Sequence, residues 1–349
     1  MGALNRMTDL TRLTLEQVHA LAFQVLRAHG ISSAQARAIA DTITAAERDD
    51  CKSHGLFRLP GYVRSVRSGK VTPDAVPQVH DLAPAIVQVD GQNGFAPLAL
   101  QIGCAPLAEK ARQHGIAALA VTRIYHFAAL WPEIEALAAQ GLVALACTAA
   151  MSYVAPAGGS KPLYGTNPMA FAWPRAGHPP LVFDQASSAS ARGEIQLHLR
   201  AGAPIPEGWA IDIAGHSTTD PAAALHGAQL PFGGYKGAAI ALMIELLAGA
   251  LIGEVFSFEA SERDNSDGGP PLGGEFIIAV EPARCVGHGD RQRQLAHAEQ
   301  LFARILAQEG TRLPSDRRYA ARQRTPTEGI TIPWTLYEEL QSLAKSKNS

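Results

Sequence analysis

Near the N-terminus, apolar positions recur every three to four residues. Val18, Leu21, Ala22, Val25 and Leu26 fall on one helical face, and Gly30 stops the pattern. Thr14-Leu15-Glu16-Gln17 ahead of them has the spacing of a capping box, in which hydroxyl and amide side chains exchange hydrogen bonds with the first-turn backbone. Ser32-Ser33-Ala34-Gln35 opens a second helix in the same way. Its inner face uses Ala38, Ile39, Thr42, Ile43 and Ala46, and it runs to about Asp50.

Beyond residue 80 the period changes. Leu82–Val89 alternates as a strand does, Pro97–Gln113 reads as a helix ended by Gly115, and Ile116–Thr122 as a buried strand. Pro132–Gln140 is the next helix, ended by Gly141, and Leu142–Thr148 the next strand. Helix, glycine, strand, repeated twice, marks α/β packing. Pro168–Trp173, Leu181–Phe183 and Glu275–Val280 add strands, and Arg293–Gln308 is an amphipathic helix. Ala238–Leu251 is apolar all round, which predicts a central, buried helix too short to span a bilayer. Glu259–Gly274 reads as a polar, poorly ordered loop, and Thr335-Leu336-Tyr337-Glu338 as the cap of a final helix.

The 349 residues are 47% hydrophobic and 18% charged, enough apolar material for a large core, with length for two domains. The expected division joins residues 1–80 with 290–349 in a mainly helical domain and leaves 81–289 as an α/β domain. A net charge of -2 argues against nucleic acid as a partner. The 4 cysteines lie far apart, without C-x-x-C spacing, as reduced cytosolic thiols do; Cys104 and Cys147 read as packing residues. Met1–Leu10 lacks the apolar core of a secretory signal, Met7 stands as an alternative start, and the expected location is cytoplasmic.

No G-x-G-x-x-G, Walker or G-x-S-x-G motif is present, so a dinucleotide would have to bind on some other fold. The densest mixture of polar and apolar residues is Ser53-His54-Gly55-Leu56-Phe57-Arg58. His54 suits proton transfer near neutral pH, and a guanidinium at Arg58 suits a carboxylate. For one of 12 histidines, a helix-end His beside a surface Arg is the plainer reading. His126–Leu130 lies between a strand and a helix, where α/β folds gather ligands. Tyr164-Gly165-Thr166-Asn167-Pro168 is a turn, and Asp184 ends a strand ahead of Arg192-Gly193-Glu194. Gly233-Gly234-Tyr235-Lys236-Gly237 leads into the apolar helix, where glycines, a lysine and a helix start suit phosphate. Arg312–Arg318 is a basic turn that by default faces water.

In this order, Ser53-His54-Gly55, Gly165-Thr166-Asn167-Pro168, Phe183-Asp184 and Gly233-Gly234-Tyr235-Lys236-Gly237 resemble the non-Rossmann malate/L-lactate dehydrogenase superfamily, from Leu13 to the final helix. The resemblance implies an α/β fold with a largely antiparallel or mixed sheet flanked by helices. Within the superfamily, His126-Phe127-Ala128-Ala129-Leu130-Trp131-Pro132, Phe57–Tyr62 and Leu313–Tyr319 resemble most the Δ1-piperideine-2-carboxylate/Δ1-pyrroline-2-carboxylate reductases.

That likeness implies a proton relay of Ser53, His54 and Glu194, with His54 as proton donor. It implies substrate contacts at Arg58, Thr166, Arg192 and Gly193. It implies cofactor contacts at His126, Phe127, Ala128, Ala129, Leu130, Asp184, Gln185, Ala186, Tyr235, Lys236, Arg312, Asp316, Arg317 and Arg318. The implied cofactor is NADPH, with NADH possible, and no metal. The implied substrate is a small carboxylate-bearing cyclic imine, reduced by a cytoplasmic homodimer without nucleic-acid or membrane partners. Two positions depart from the subgroup, which has Asp where this chain has Glu194 and His where it has Tyr235. The alternatives are a 2-oxo-acid/2-hydroxy-acid dehydrogenase of the same superfamily, a catalytically silent NAD(P)H-binding protein and, more remotely, a Ser53–His54 hydrolase.

Overall fold

The computed structural model describes residues 10–287 and 289–346. Met7 and the rest of the segment before Leu10 lie outside the described residues, as does His288.

Strand β1 (Leu10–Leu13) leads into α1 (Leu15–Ala28), and the capping box forms as its spacing predicts. The Gln17 N–H donates to Thr14 Oγ1 at 3.2 Å, and the Thr14 N–H donates to Gln17 Oε1 at 2.8 Å. At α2 (Ser33–Arg48) only half of that arrangement appears. Ser32 Oγ accepts from the Gln35 N–H at 3.3 Å, but the Gln35 side chain is buried and donates to the Ala75 carbonyl at 3.2 Å. A buried amide takes the partner it needs, here across the core. Helix α3 (Leu59–Arg67) follows the Ser53–Arg58 turn.

The main sheet comes next, built from β2 (Gln78–Ala83), β3 (Ile86–Phe95), α4 (Ala96–His114), β4 (Ile116–Tyr125), α5 (Trp131–Ala139), β5 (Val143–Thr148), β6 (Met169–Trp173) and β7 (Leu181–Gln185). The one strand expected over Leu82–Val89 is two arms of a hairpin. Pro84, which has no N–H for a ladder, stands in its turn. The chain then forms α6 (Arg192–Ala201), β8 (Ala210–Ile211), β9 (Ser217–Thr218), α7 (Pro221–His226), β10 (Ala228–Gln229), α8 (Tyr235–Ala248) and α9 (Ser257–Glu262). It returns to the sheet in β11 (Leu272–Val280) and ends with α10 (Arg291–Leu306), α11 (Asp316–Glu328), β12 (Ile330–Pro333) and α12 (Trp334–Lys345). Because α12 already begins at Trp334, Thr335 lies inside its first turn and is not its cap.

The sheet order is β2-β3-β4-β11-β5-β6-β7. Only the β3–β4 pairing, joined through α4, is parallel. Helices α4 and α5 cover one face through Leu100, Leu107, Ile134 and Leu137. A second core joins α1, α2 and α3 to Ile330, Ile332 and Leu340. Helix α10 packs beside the last strand, with Phe302 against Leu181 and Leu313.

Two expectations are corrected. Helix α8 is not buried on all sides. Its inner residues Ile244 and Ala248 pack with Cys147 and Phe276, while Leu242, Met243 and Leu246 are 46%, 39% and 51% exposed. An all-apolar sequence records only that both faces avoid water, and it cannot say that one chain covers both. The loop after α9 is pinned. The buried Lys70 ammonium bonds Asp267 Oδ1 at 2.6 Å and Asp264 Oδ1 at 3.2 Å, and Arg64 Nε donates to the Asp267 carbonyl at 2.6 Å. Its acidic residues meet cations that lie far away in sequence.

Candidate functional site

The turn after α2 is two short 3-10 turns, Lys52–His54 and Leu56–Arg58, and not a regular helix. Glu47, buried near the end of α2, sets its shape. Its Oε1 accepts the Leu56 N–H at 2.8 Å. Ser53 Oγ lies 3.0 Å from His54 Nδ1, and the imidazole stands edge-on to Trp131 with ring centroids 6.1 Å apart. Arg58 Nε donates to the Ser53 carbonyl at 2.6 Å, and its guanidinium lies 4.7 Å from the Phe127 ring centroid. The terminal nitrogens of Arg58 make no hydrogen bond among the described residues, so they are available to a ligand. Burial, then the Arg58 charge, pushes the His54 pKa down to about 3, so the imidazole is neutral at pH 7.

The loop from His126 to Leu130 crosses from β4 to α5, with Ala128 in the left-handed region at φ 60. Asp184, at the end of β7, accepts the Leu130 and Trp131 N–H groups at 3.0 and 3.1 Å and so holds the start of α5. Burial pushes its pKa up to about 6, against those two bonds. Arg318 lies 5.4 Å over the Trp131 ring, held by Ser315 Oγ at 2.8 Å and the Val182 carbonyl at 3.2 Å. Ser53, His54, Arg58, His126–Leu130, Asp184 and Arg318, scattered in sequence, are therefore one group. Asp316 and Arg318 open α11, so the basic segment is a turn only as far as Ser315. Arg312 and Arg317 are exposed.

A second group forms around the strand end after Asp184. Ser187 donates to the Thr166 carbonyl through N–H and Oγ, at 2.8 and 3.0 Å, and accepts the Phe232 N–H at 3.0 Å. This draws Thr166, Gln185-Ala186 and the Gly233–Lys236 turn together. Gly233 and Gly234 have φ of 56 and 63, and Tyr235 and Lys236 stand exposed at the start of α8. A largely apolar cleft here is lined by Pro156, Ala189, Leu230, Gly233 and Tyr235. Asn167, next to Thr166, is fully buried and donates to Glu245 Oε1 at 2.7 Å and the Ala241 carbonyl at 3.1 Å, so it anchors the turn.

Arg192, Gly193 and Glu194 open α6. The Arg192 guanidinium lies 3.8 Å over the Tyr153 ring and donates to the Leu225 carbonyl at 3.3 Å. Glu194, on the first turn of α6, is exposed, and its side chain makes no hydrogen bond or ion pair among the described residues. Sequence reasoning missed Glu47, Trp131 and Tyr153 as site-shaping residues. Only Trp131 carried a signal, through the quoted His126–Pro132 segment. Burial pushes the nearby Cys51 thiol up to about 11, so it holds no reactive thiolate near neutral pH.

The sequence model of the malate/L-lactate dehydrogenase family matches residues 13–341. A Δ1-pyrroline-2-carboxylate/Δ1-piperideine-2-carboxylate reductase of Pseudomonas aeruginosa is 53% identical over 334 residues, covering 96% of this chain and 99% of that protein. A Δ1-pyrroline-2-carboxylate reductase of Burkholderia multivorans is 52% identical, with 96% of this chain and 98% of that protein covered. The solved structure of Δ1-piperideine-2-carboxylate reductase from Pseudomonas syringae pv. tomato matches with a TM-score of 0.89 at 43% identity, over 95% of this chain and 99% of that one. Sequence and fold agree along nearly the whole length, and the chain belongs to the malate/L-lactate dehydrogenase family.

Proposed function

We propose that this protein is an NADPH-dependent reductase of cyclic imino acids, converting Δ1-piperideine-2-carboxylate to L-pipecolate and Δ1-pyrroline-2-carboxylate to L-proline. One observation carries the reading beside the names of its relatives. A proton-transfer group and a carboxylate receptor share a single short turn, with the free terminal nitrogens of Arg58 beside the His54 ring. A cyclic imine carrying a carboxylate needs both.

The residues present suit a nicotinamide dinucleotide. The space beside Gly234 is open to a ligand, where a side chain at that position would otherwise stand. Lys236 at the start of α8 and Arg312, Arg317 and Arg318 supply cations for phosphate groups, which favours NADPH over NADH. Tyr235, Asp316, His126–Leu130 and Asp184–Ala186 complete the set. When bound, the cofactor supplies hydride.

The chain's own residues do the rest. Arg58, with Thr166 and Arg192-Gly193, holds the carboxylate and orients the ring. His54 gives a proton to the imine nitrogen, and Ser53 fixes the imidazole through Nδ1. A carboxylate beside Arg58 offsets the positive charge that His54 feels, so substrate arrival moves the imidazole toward its protonated form. Glu194, exposed on the first turn of α6, is the acid proposed to complete the relay with Ser53 and His54.

The exposed apolar stripe of α8 supports a homodimer. The test is a panel of piperideine-2-carboxylate, pyrroline-2-carboxylate, pyruvate and oxaloacetate, each with NADPH and NADH, followed by reduced-nicotinamide absorbance. Faster turnover on the imines is expected. Preference for the oxo acids assigns a malate/lactate-type dehydrogenase instead, and NADPH binding without turnover assigns a silent binding protein.

A further inference from the structure

Beneath the His126 loop lies a buried polar cluster that the proposed chemistry does not use. Glu275 on β11 is fully buried, and neither of its carboxyl oxygens has a well-aligned hydrogen bond among the described residues. His126 Nδ1, equally sealed, lies 3.0 Å from Glu275 Oε2. Glu133 on the first turn of α5 adds a third buried group with an unpartnered oxygen. Such groups are costly unless they satisfy one another.

The backbone builds this contact. The His126 N–H donates to the Pro271 carbonyl at 3.3 Å, which ties the loop to the start of β11. The β4–β11 register slips between Gly273 and Glu275. A side chain on Gly274 would lie 2.8 Å from the Val121 carbonyl, so glycine is needed at the slip.

We propose that Glu275 is a positioning residue for His126. It holds Nδ1 and fixes the ring proton on Nε2, the nitrogen on the far side of the ring. A neutral carboxylic acid carries one proton to donate, and Nδ1 is the basic atom within its reach. The opposite arrangement, Nδ1–H against a carboxylate, leaves a full charge in the interior. The groups facing the pair support the neutral form. Burial, with Asp184 adding to it, raises the Glu275 pKa, and burial together with Glu275 raises that of Glu133. Burial lowers that of His126, although Glu133 and Asp184 oppose the change. His126 thereby presents a fixed N–H donor. The consequence for NADPH rests on the reading of His126 as a cofactor contact, while the tautomer does not.

The experiment uses the full-length protein with 15N-labelled histidine. Two-bond 1H–15N spectra are recorded at pH 7.5, with the His126 signals identified by their loss in His126→Gln. The wild type is expected to show the Nε2–H tautomer. Glu275→Gln, whose amide N–H can still donate to Nδ1, keeps it. Glu275→Met loses it and weakens NADPH binding about tenfold, as loss of a buried donor predicts. NADPH dissociation constants come from protein fluorescence quenching. An Nδ1–H tautomer or an imidazolium in the wild type overturns the proposal. So does a Glu275→Met protein with unchanged signals and unchanged NADPH affinity. Should Glu275→Met not fold, the wild-type and Glu275→Gln spectra decide. Neither readout needs imine turnover, so failure of the proposed activity stays distinguishable from failure of this inference.

Discussion

The Glu47 carboxylate fills the space that a side chain on Gly55 would need. A Cβ on Gly55 would lie 2.1 Å from Glu47 Oε1, the atom that accepts the Leu56 N–H at 2.8 Å. Gly55 has a negative φ of -88, so the demand for glycine here is one of space and not of backbone handedness. Gly55→Ala is therefore expected to displace Glu47 and leave a buried N–H unpaired, at a cost of about 1–3 kcal/mol. The same shift moves His54, so kcat falls more than stability alone explains. Glu47→Gln keeps an acceptor and should be milder on both counts. Urea midpoints with steady-state kinetics measure both, and an unperturbed Gly55→Ala protein contradicts the account.

His54 and Arg58 should separate in kinetics. His54→Ala is expected to lower kcat by about 10²–10⁴-fold, the usual weight of a positioned acid, while NADPH affinity stays near wild type. Arg58→Ala should instead raise the apparent KM for the imine acid, with a loss near 2–3 kcal/mol in kcat/KM. Arg58→Lys should not restore it, because the terminal fork and the stack on Phe127 belong to a planar guanidinium. An unchanged KM in Arg58→Ala removes the carboxylate role.

The protonation of His54 gives a further test. Its pKa is depressed to about 3 from an ordinary value near 6.5, with burial the chief cause. A depressed basic group makes its stabilising contribution above the unfolded pKa, and that contribution is lost as pH falls from about 6.5 toward the folded value. In the free protein, the His54 NMR signals should therefore stay in the neutral form down to about pH 5. A flat cyclic carboxylate that occupies Arg58 should raise the midpoint. A His54 that titrates near pH 6.5 with or without such a ligand refutes the electrostatic part of the mechanism.

How much of this was visible in the sequence depends on the distance over which each feature is specified. The capping box at Thr14 and the helix–Gly–strand repeats are local, and they form where the pattern puts them. The hairpin at Pro84 was misread because apolar alternation runs through its turn. The exposed face of α8 was misread because composition does not say what covers an apolar face. The site was legible only as separate segments. What joins them is long-range: Asp184 on the Leu130 and Trp131 amides, Ser187 on Thr166, Lys70 on the acidic loop. Family resemblance named the residues, but it did not show that the Glu194 side chain is exposed and without a hydrogen bond or ion pair among the described residues.

Acid should unlock the contact between α2, α5 and α11. Arg322 donates through Nε to Asp49 Oδ1 at 2.9 Å and also pairs with Glu135. Burial favours the neutral acid at Asp49, but Arg322 and Arg48 outweigh it and hold its pKa below the ordinary carboxylate value. A lowered carboxylate pKa gives stability that is complete above the unfolded value, near 3.8, and is lost as pH falls through the folded one. Arg322→Met should cost about 1–3 kcal/mol at pH 7, because it removes the charged hydrogen bonds to Asp49 and Glu135 while Arg48 still pairs with Asp49. The penalty should shrink at pH 4, where Asp49 of the variant can take up a proton. Equal penalties in urea unfolding at both values contradict this.

The α8 stripe makes the homodimer testable without touching the His54 turn. Leu242, Met243 and Leu246 are exposed in the single chain, so replacing one of them costs little in folding. Leu246→Glu should nonetheless separate protomers, since an unpaired carboxylate buried at an interface costs several kcal/mol. Light scattering after gel filtration is expected to give twice the chain mass for the wild type and one chain mass for Leu246→Glu. Tyr235, 71% exposed, borders both the stripe and the cleft beside Gly233 and Gly234. Loss of the partner should therefore weaken NADPH binding as well as change the mass, and the two effects should share one dependence on protein concentration. The stretch Tyr235–Ile252 is also apolar enough, by length and composition, to cross a membrane. A wild-type protein that floats with lipid vesicles and stays monomeric in solution would assign the stripe to lipid and end the dimer reading.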